Sequence, residues 1–340
     1  MPSARCLSRL VIVAGAIALA LPVVAGTLSP QLSVLAASYH KAPQNTIAQA
    51  VAATARRAPR LFSPHVNTAG EVQVYIHYGS GEPPTQAALD ALGASNVRIS
   101  RALGVVQAWV PIVKLDAATT LAGVQVVSLP IYGYAKSPAG TLPAADTCAA
   151  VPGGLAIDNQ AIAAENVGPV HQAGATGTGI KVGIISTGVD CIADSQTQGY
   201  LPKNVWIDPT LSGSGDEGTA MLEEVHAIAP GATLGFCGDE PDGTMTTADF
   251  VQCLDDLAGW GANIISDDLG FLPIFYNFPV FPAPDGGNAI TEFGAAHPDT
   301  NLTTAAGNDQ ADYFEGDYVG TTNPSSPSGA KVSLSPTYTV

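Results

Sequence analysis

Residues 179–237 set the fold class for most of this chain. Ile180-Lys-Val-Gly-Ile-Ile185 is a short, nearly continuous apolar run that stops at Ser186-Thr187-Gly188. Residues 217–228 then read as a helix, Pro230-Gly231 breaks it, and residues 233–237 form a second apolar run. Short apolar runs without alternation suit strands buried on both faces. A helix between two of them is the crossover of a parallel βαβ unit. The pattern repeats: further helices are expected at 159–173, 246–260 and 287–296, and further strands at 263–266 and 301–305. The expectation for residues 138–340 is therefore an α/β fold with a doubly wound parallel sheet. Function in such sheets collects beyond the carboxyl ends of the strands. Ser186, Asp267, Asp268 and Asn308 all fall there.

The front of the chain differs. Arg5 and Arg9 precede an apolar run at 10–25 that ends in Val23-Val24-Ala25, the pattern of a secretory signal. A signal at 1–25 implies a secreted, extracellular or periplasmic product with no membrane span once it is removed. Residues 26–69 are Ala-rich and Pro-punctuated and read as a poorly ordered linker, with one helix near 46–57. Residues 70–137 form a small domain. Strands at 71–78, 97–100, 105–111 and 124–129 and helices at 83–92 and 114–122 give the order β-α-β-β-α-β, the ferredoxin-like α+β pattern.

Export permits disulfides. Without Cys6, which leaves with the signal, Cys148, Cys191, Cys237 and Cys253 remain, with three possible pairings. Cys237 ends a strand and Cys253 sits in the next helix, which favours 237–253 and 148–191. Charge is divided sharply. Up to Gly140 there are ten Lys and Arg against four Asp and Glu; beyond it, three against twenty-five. The acidic body argues against a nucleic-acid partner. The opposite charges could draw the two halves together, and exported proteins also carry charge for solubility alone.

Two blocks carry a resemblance. Gly179-Ile-Lys-Val-Gly-Ile-Ile-Ser-Thr-Gly-Val-Asp190 and Asp216-Glu-Gly-Thr-Ala-Met-Leu222, followed later by Thr304-Ala-Ala-Gly-Asn308, resemble the subtilisin-like serine peptidases in order and spacing. The resemblance implies a subtilisin-type sheet, incomplete in this chain, preceded by a propeptide that acts as intramolecular chaperone and inhibitor. The propeptide would be released by cleavage within 136–146. Partners would be a protein or peptide substrate and the chain's own propeptide-like domain. Asn308 falls on the family's oxyanion donor. Asp267-Asp268-Leu269-Gly270 falls on the strand that pairs with extended substrate. Ser186 stands where the family has its triad Asp, and Glu217 where it has His. The acid-acting sedolisins also have Glu in that position, with an Asp four residues on, where this chain has Met221. A carboxylate is a weak base at neutral pH and a suitable one in acid. A Glu at a helix start is also favoured simply by the dipole.

The family nucleophile opens a helix in a Gly-Thr-Ser segment after the Asn. Residues 309–340 offer only Gly320-Thr-Thr-Asn-Pro-Ser-Ser326, which is Pro-broken, so the nucleophile segment is expected to be missing from the sequence in hand. Two functions stay open: an exported serine endopeptidase, acid-acting if Glu217 is its base, or an inactive relative that binds peptide or protein. No cofactor is required by either. Asp267 and Asp268 could bind a cationic side chain or calcium, and calcium needs more oxygens than sequence can bring together. Phe271, Phe275, Tyr276, Phe278 and Phe281 could wall a cleft or simply pack.

Overall fold

The computed structural model describes residues 25–41, 64–135, 148, 160–240, 243–271, 281–305, 319–321 and 331–333. The signal segment up to residue 24, the helix expected near 46–57, Asn308, and Phe275, Tyr276 and Phe278 lie outside them. The chain divides into two units, Met1–Pro130 and Ile131–Val340.

The first unit contains β1 (Thr27–Leu28), α1 (Pro30–Lys41), β2 (Glu71–His77), α2 (Gln86–Leu92), β3 (Ser95–Ser100), β4 (Val105–Pro111), α3 (Leu115–Ala118) and β5 (Val126–Ser128). Its sheet runs β1-β5-β2-β4-β3, and β2 is antiparallel to both neighbours. Val72, Val74 and Ile76 project from one face of β2 into a core with Leu89, Leu92, Ile112 and Leu115. Thr85 caps α2, accepting a hydrogen bond from Ala88 N, and Gly93 ends it in a left-handed conformation. Sequence placed residues 27–41 in a linker. They form β1 and α1 instead, because Leu32, Leu35 and Ala36 recur at helical spacing and all three are buried in this core.

The second unit contains β6 (Gly133–Ala135), α4 (Gln160–Ala164), α5 (Gly168–Gln172), β7 (Lys181–Ile185), α6 (Ile192–Gln198), β8 (Trp206–Ile207), α7 (Glu217–Ile228), β9 (Thr233–Cys237), α8 (Thr247–Trp260), β10 (Ile264–Asp267), β11 (Leu269–Phe271), α9 (Ala289–Ala296), β12 (Asn301–Thr304), β13 (Val319–Thr321) and β14 (Lys331–Ser333). Residues 131–135, read in sequence as the tail of the first domain, belong to this unit. The helix expected at 159–173 is two short ones, interrupted where Asn166 adopts a left-handed φ of 53°.

Five strands form a parallel sheet in the order β12-β10-β7-β9-β8, with apolar clusters on both faces. Leu222 of α7 packs with Ile184, Leu234 and Phe236 on one side. Leu254 and Leu257 of α8 pack with Ile185 and Ile265 on the other. A Cβ at Gly183 would lie 2.8 Å from Leu257, so glycine is what lets α8 approach the sheet centre. Thr246 and Asp249 form a reciprocal capping box at the start of α8. Both expected disulfides are present, Cys148–Cys191 and Cys237–Cys253. Among the described residues no helix is long and apolar enough to cross a membrane.

Candidate active site

The sheet register brings the polar residues together. Ile185 pairs with Asp267 and with Cys237, and Asp267 pairs with Thr304. The next residues on these four strands, Ser186, Gly238, Asp268 and Ala305, therefore follow one another along the carboxyl edge. Ser186 is fully buried, and its hydroxyl donates to Asp268 Oδ2 at 3.1 Å. Glu217 is the first residue of α7, and its carboxyl shares a hydrogen bond with Asp268.

The electrostatics follow from this crowding. Burial pushes the Glu217 carboxyl above its ordinary range, and the charge and hydrogen bond of Asp268 push it the same way. Burial raises Asp268 as well, against hydrogen bonds from Ser186, its own backbone and Glu217 that pull it down. Like charges this close resist joint ionisation, which is why the charge of Asp268 raises Glu217. Asp267 is pushed up to about 6, chiefly by burial.

Two loops hold Glu217 in place. Gly215 N donates to Asp190 Oδ2 and Cys191 N to Asp216 Oδ1, both at 2.9 Å, a reciprocal clasp between the loop after β7 and the start of α7. Ser214 N donates to Asp239 Oδ1 at 2.7 Å. Asp190 and Asp216, whose directions sequence left undecided, are thus both spent on backbone. Gly188 lies so close to this loop that a Cβ would come within 2.7 Å of Gly215 O. Gly213 has a φ of 78°, and its Cβ would fall on the Thr187 carbonyl. Gly213→Ala is expected to cost more than the 1–2 kcal/mol or so of a left-handed alanine, because backbone must also move. Denaturant unfolding of the purified variant measures it; an unchanged midpoint would show the clasp to be soft.

Of the residues named from sequence, Ser186, Glu217 and Asp268 meet. Asp267 does not join them: it is 4% exposed, and its Oδ1 accepts from Leu269 N and the Thr304 hydroxyl. Leu269 is buried, and Leu269-Gly270-Phe271 offers its backbone, pairing antiparallel with Ala135, Tyr134 and Gly133. On the other side of that same segment Gly133 N donates to Met245 O at 2.7 Å and Thr247 N to Ile131 O at 3.0 Å. Residues 131–135 thus lie as an extended strand between two edges. Met221 packs in the apolar cluster beneath α7, so the sedolisin position offers no carboxylate and Asp268 stands beside Glu217 from another strand. Sequence reading missed this partnership; the signal was two adjacent carboxylates at a strand end next to a buried serine. Phe271 and Phe281 pack on Phe250 at 5.3 and 5.4 Å, as core aromatics do. Among the described residues no group of three or more His, Cys, Asp or Glu could hold a metal ion.

No family model matches the sequence, and no curated protein matches it. Among solved structures, fervidolysin from Fervidobacterium pennivorans, described as a keratinolytic enzyme related to subtilisin, matches at 16% identity with a TM-score of 0.41. The match covers 73% of this chain and 42% of fervidolysin, so the chain spans less than half the length of that structure.

Proposed function

We propose that this chain belongs to an exported, acid-acting serine endopeptidase of subtilisin-like frame, with Glu217 as base, Asp268 as its carboxyl partner and Ser186 as the hydroxyl that orients Asp268. One observation carries the reading: three side chains from the end of β7, the start of α7 and the end of β10 converge in one hydrogen-bonded group. A carboxylate base suits a medium near its own pKa, and here burial and a like charge lift that pKa. The ionised Glu217 takes the proton of an attacking serine hydroxyl and returns it to the leaving amine. That serine is expected outside the described residues, as is the oxyanion donor Asn308.

The strand laid on β11 supports the rest. An extended peptide there is held by backbone on both sides, the means by which an edge strand accepts chains of varied sequence. Occupation by residues 131–135 fits a propeptide tail that blocks the site until the chain is cut within 136–146. The first unit's order, β5-β2-β4-β3 with antiparallel neighbours, supports a ferredoxin-like propeptide before it. A second reading, a peptide-binding protein without catalysis, draws on the same occupied edge and on the burial of Ser186, which bars it from acting as nucleophile.

Full-length secreted protein, incubated with a fluorogenic peptide from pH 3 to 8 and with a fluorophosphonate probe, separates the two. The peptidase reading expects hydrolysis with an acid optimum and covalent labelling of one serine. Peptide binding with neither hydrolysis nor labelling would establish the second reading.

A further inference from the structure

Asp267 is a carboxyl at the site edge that the proposed chemistry leaves without a task. It ends β10, paired with Ile185 and flanked along the chain by buried Ile265 and Leu269, an apolar setting in which a carboxyl is costly unless hydrogen-bonded. Its bonds are specific. Oδ1 accepts from Leu269 N at 3.2 Å and from the Thr304 hydroxyl at 3.1 Å. Leu269 opens β11, the edge that carries the extended strand. Thr304 ends β12, and the following residue, Ala305, donates its N–H to the Asp267 carbonyl. One oxygen thus joins the peptide-pairing edge to the end of the neighbouring parallel strand.

The join sits where the chain changes partners. Up to Asp267 the strand belongs to the parallel sheet, and from Leu269 it pairs antiparallel with β6. Only Asp268 lies between. The angle of that turn decides both where β11 presents its N–H and C=O groups and where Asp268 points.

We propose that Asp267 is a positioning residue: by holding Leu269 N and the Thr304 hydroxyl on one buried oxygen, it sets the register of β11 against an extended peptide backbone. It touches no ligand itself. The proposal rests on the peptidase reading only in taking that peptide to be a substrate; the fixing of the edge stands apart from it.

Amide hydrogen exchange on the full chain tests the fixing directly, with Asp267→Ala, Asp267→Asn and Thr304→Val. In Asp267→Ala the amides of 269–271 and 133–135 are expected to exchange about 10-fold faster or more, with β7 and β9 unchanged, as local opening of one element requires. Asp267→Asn keeps an acceptor oxygen and restores protection. Thr304→Val, the milder change if Asp267→Ala does not fold, loosens the end of β12 and the same edge by a smaller factor. In active preparations Asp267→Ala raises KM for extended peptides far more than it lowers kcat. Unchanged protection at 269–271 overturns the proposal, and so does an equal loss across β7, β9 and β11, which would mark a merely structural residue. The local exchange effect in a full-length secreted protein that binds peptide with neither hydrolysis nor serine labelling would retire the peptidase reading and leave the positioning role standing.

Discussion

Glu217→Gln is expected to lower peptide hydrolysis by about 10³-fold, within the range of a lost general base. The amide keeps the shape and the hydrogen bond to Asp268 but cannot take a proton, so folding should survive where activity does not. Asp268→Asn should act differently. Asp268 raises Glu217 through its charge, so the neutral amide lets the Glu217 pKa fall. The acid limb of the pH–rate profile then moves to lower pH while the maximum rate drops. A Glu217→Gln enzyme with wild-type activity would remove the carboxyl pair from the mechanism. An Asp268→Asn enzyme whose acid limb stays put would uncouple the two groups.

The second large effect is a divergence in how the two units respond to acid. His77 in the first unit is half-buried, hydrogen-bonded to Ser128 Oγ at 2.8 Å, and lowered by desolvation from 6.5 to about 4. A depressed imidazole means that the unfolded chain binds the proton more readily. Stability from this group is whole above pH 6.5 and lost as pH falls towards 4. Asp267 in the second unit is raised from 3.8 to about 6. There the folded state binds the proton more readily, so stability is whole below pH 4 and lost as pH rises through 6. Each shift is worth up to about 3 kcal/mol over its window. Raised values at Glu217, Glu223, Asp255, Asp256 and Asp268 add to the second trend, and the lowered His226 opposes it. Hydrogen exchange at pH 4 and pH 7, read separately for 71–128 and 181–267, should show protection moving in opposite directions. His77→Gln should flatten the first slope and Asp267→Asn the second. Parallel slopes in the unaltered chain would sink the prediction.

What was legible in the sequence follows from how local each signal is. The strands β7 and β9 announce themselves as short apolar runs, β10 by Ile264-Ile265 and β12 by β-branched Thr303-Thr304 after Leu302, and Glu217–Ile228 as a helix bounded by Asp216 and Pro230-Gly231. The disulfide pairing was readable because Cys237 and Cys253 lie at consecutive element positions. The helix α1 was not, because it lies in a stretch, 26–69, whose Ala-rich, Pro-punctuated composition masks a core-facing pair, Leu32 and Leu35. Strand β8 is two residues long and exists only through its pairing with Gly235 and Phe236. The meeting of Asp268 with Glu217 and Ser186 depends on sheet register across more than 80 residues of chain for Ser186 and Asp268, which no local pattern encodes. Asp268 was therefore read as a substrate contact, and the clasping roles of Asp190 and Asp216 stayed undecided for the same reason.

The strand at 131–135 sits on its edge as part of the same chain, and that has a consequence for competition. A tethered segment meets its site at an effective concentration of order millimolar. A free peptide must outbid that figure to displace it. A single cut between Ala135 and Cys148 would change the contest, because the segment's hold would then depend on its concentration in bulk. Cys148, fixed to Cys191, would keep the new chain start anchored to the body while the departing piece diluted away. One bond broken in that interval converts a permanent occupant into a weak, concentration-dependent one.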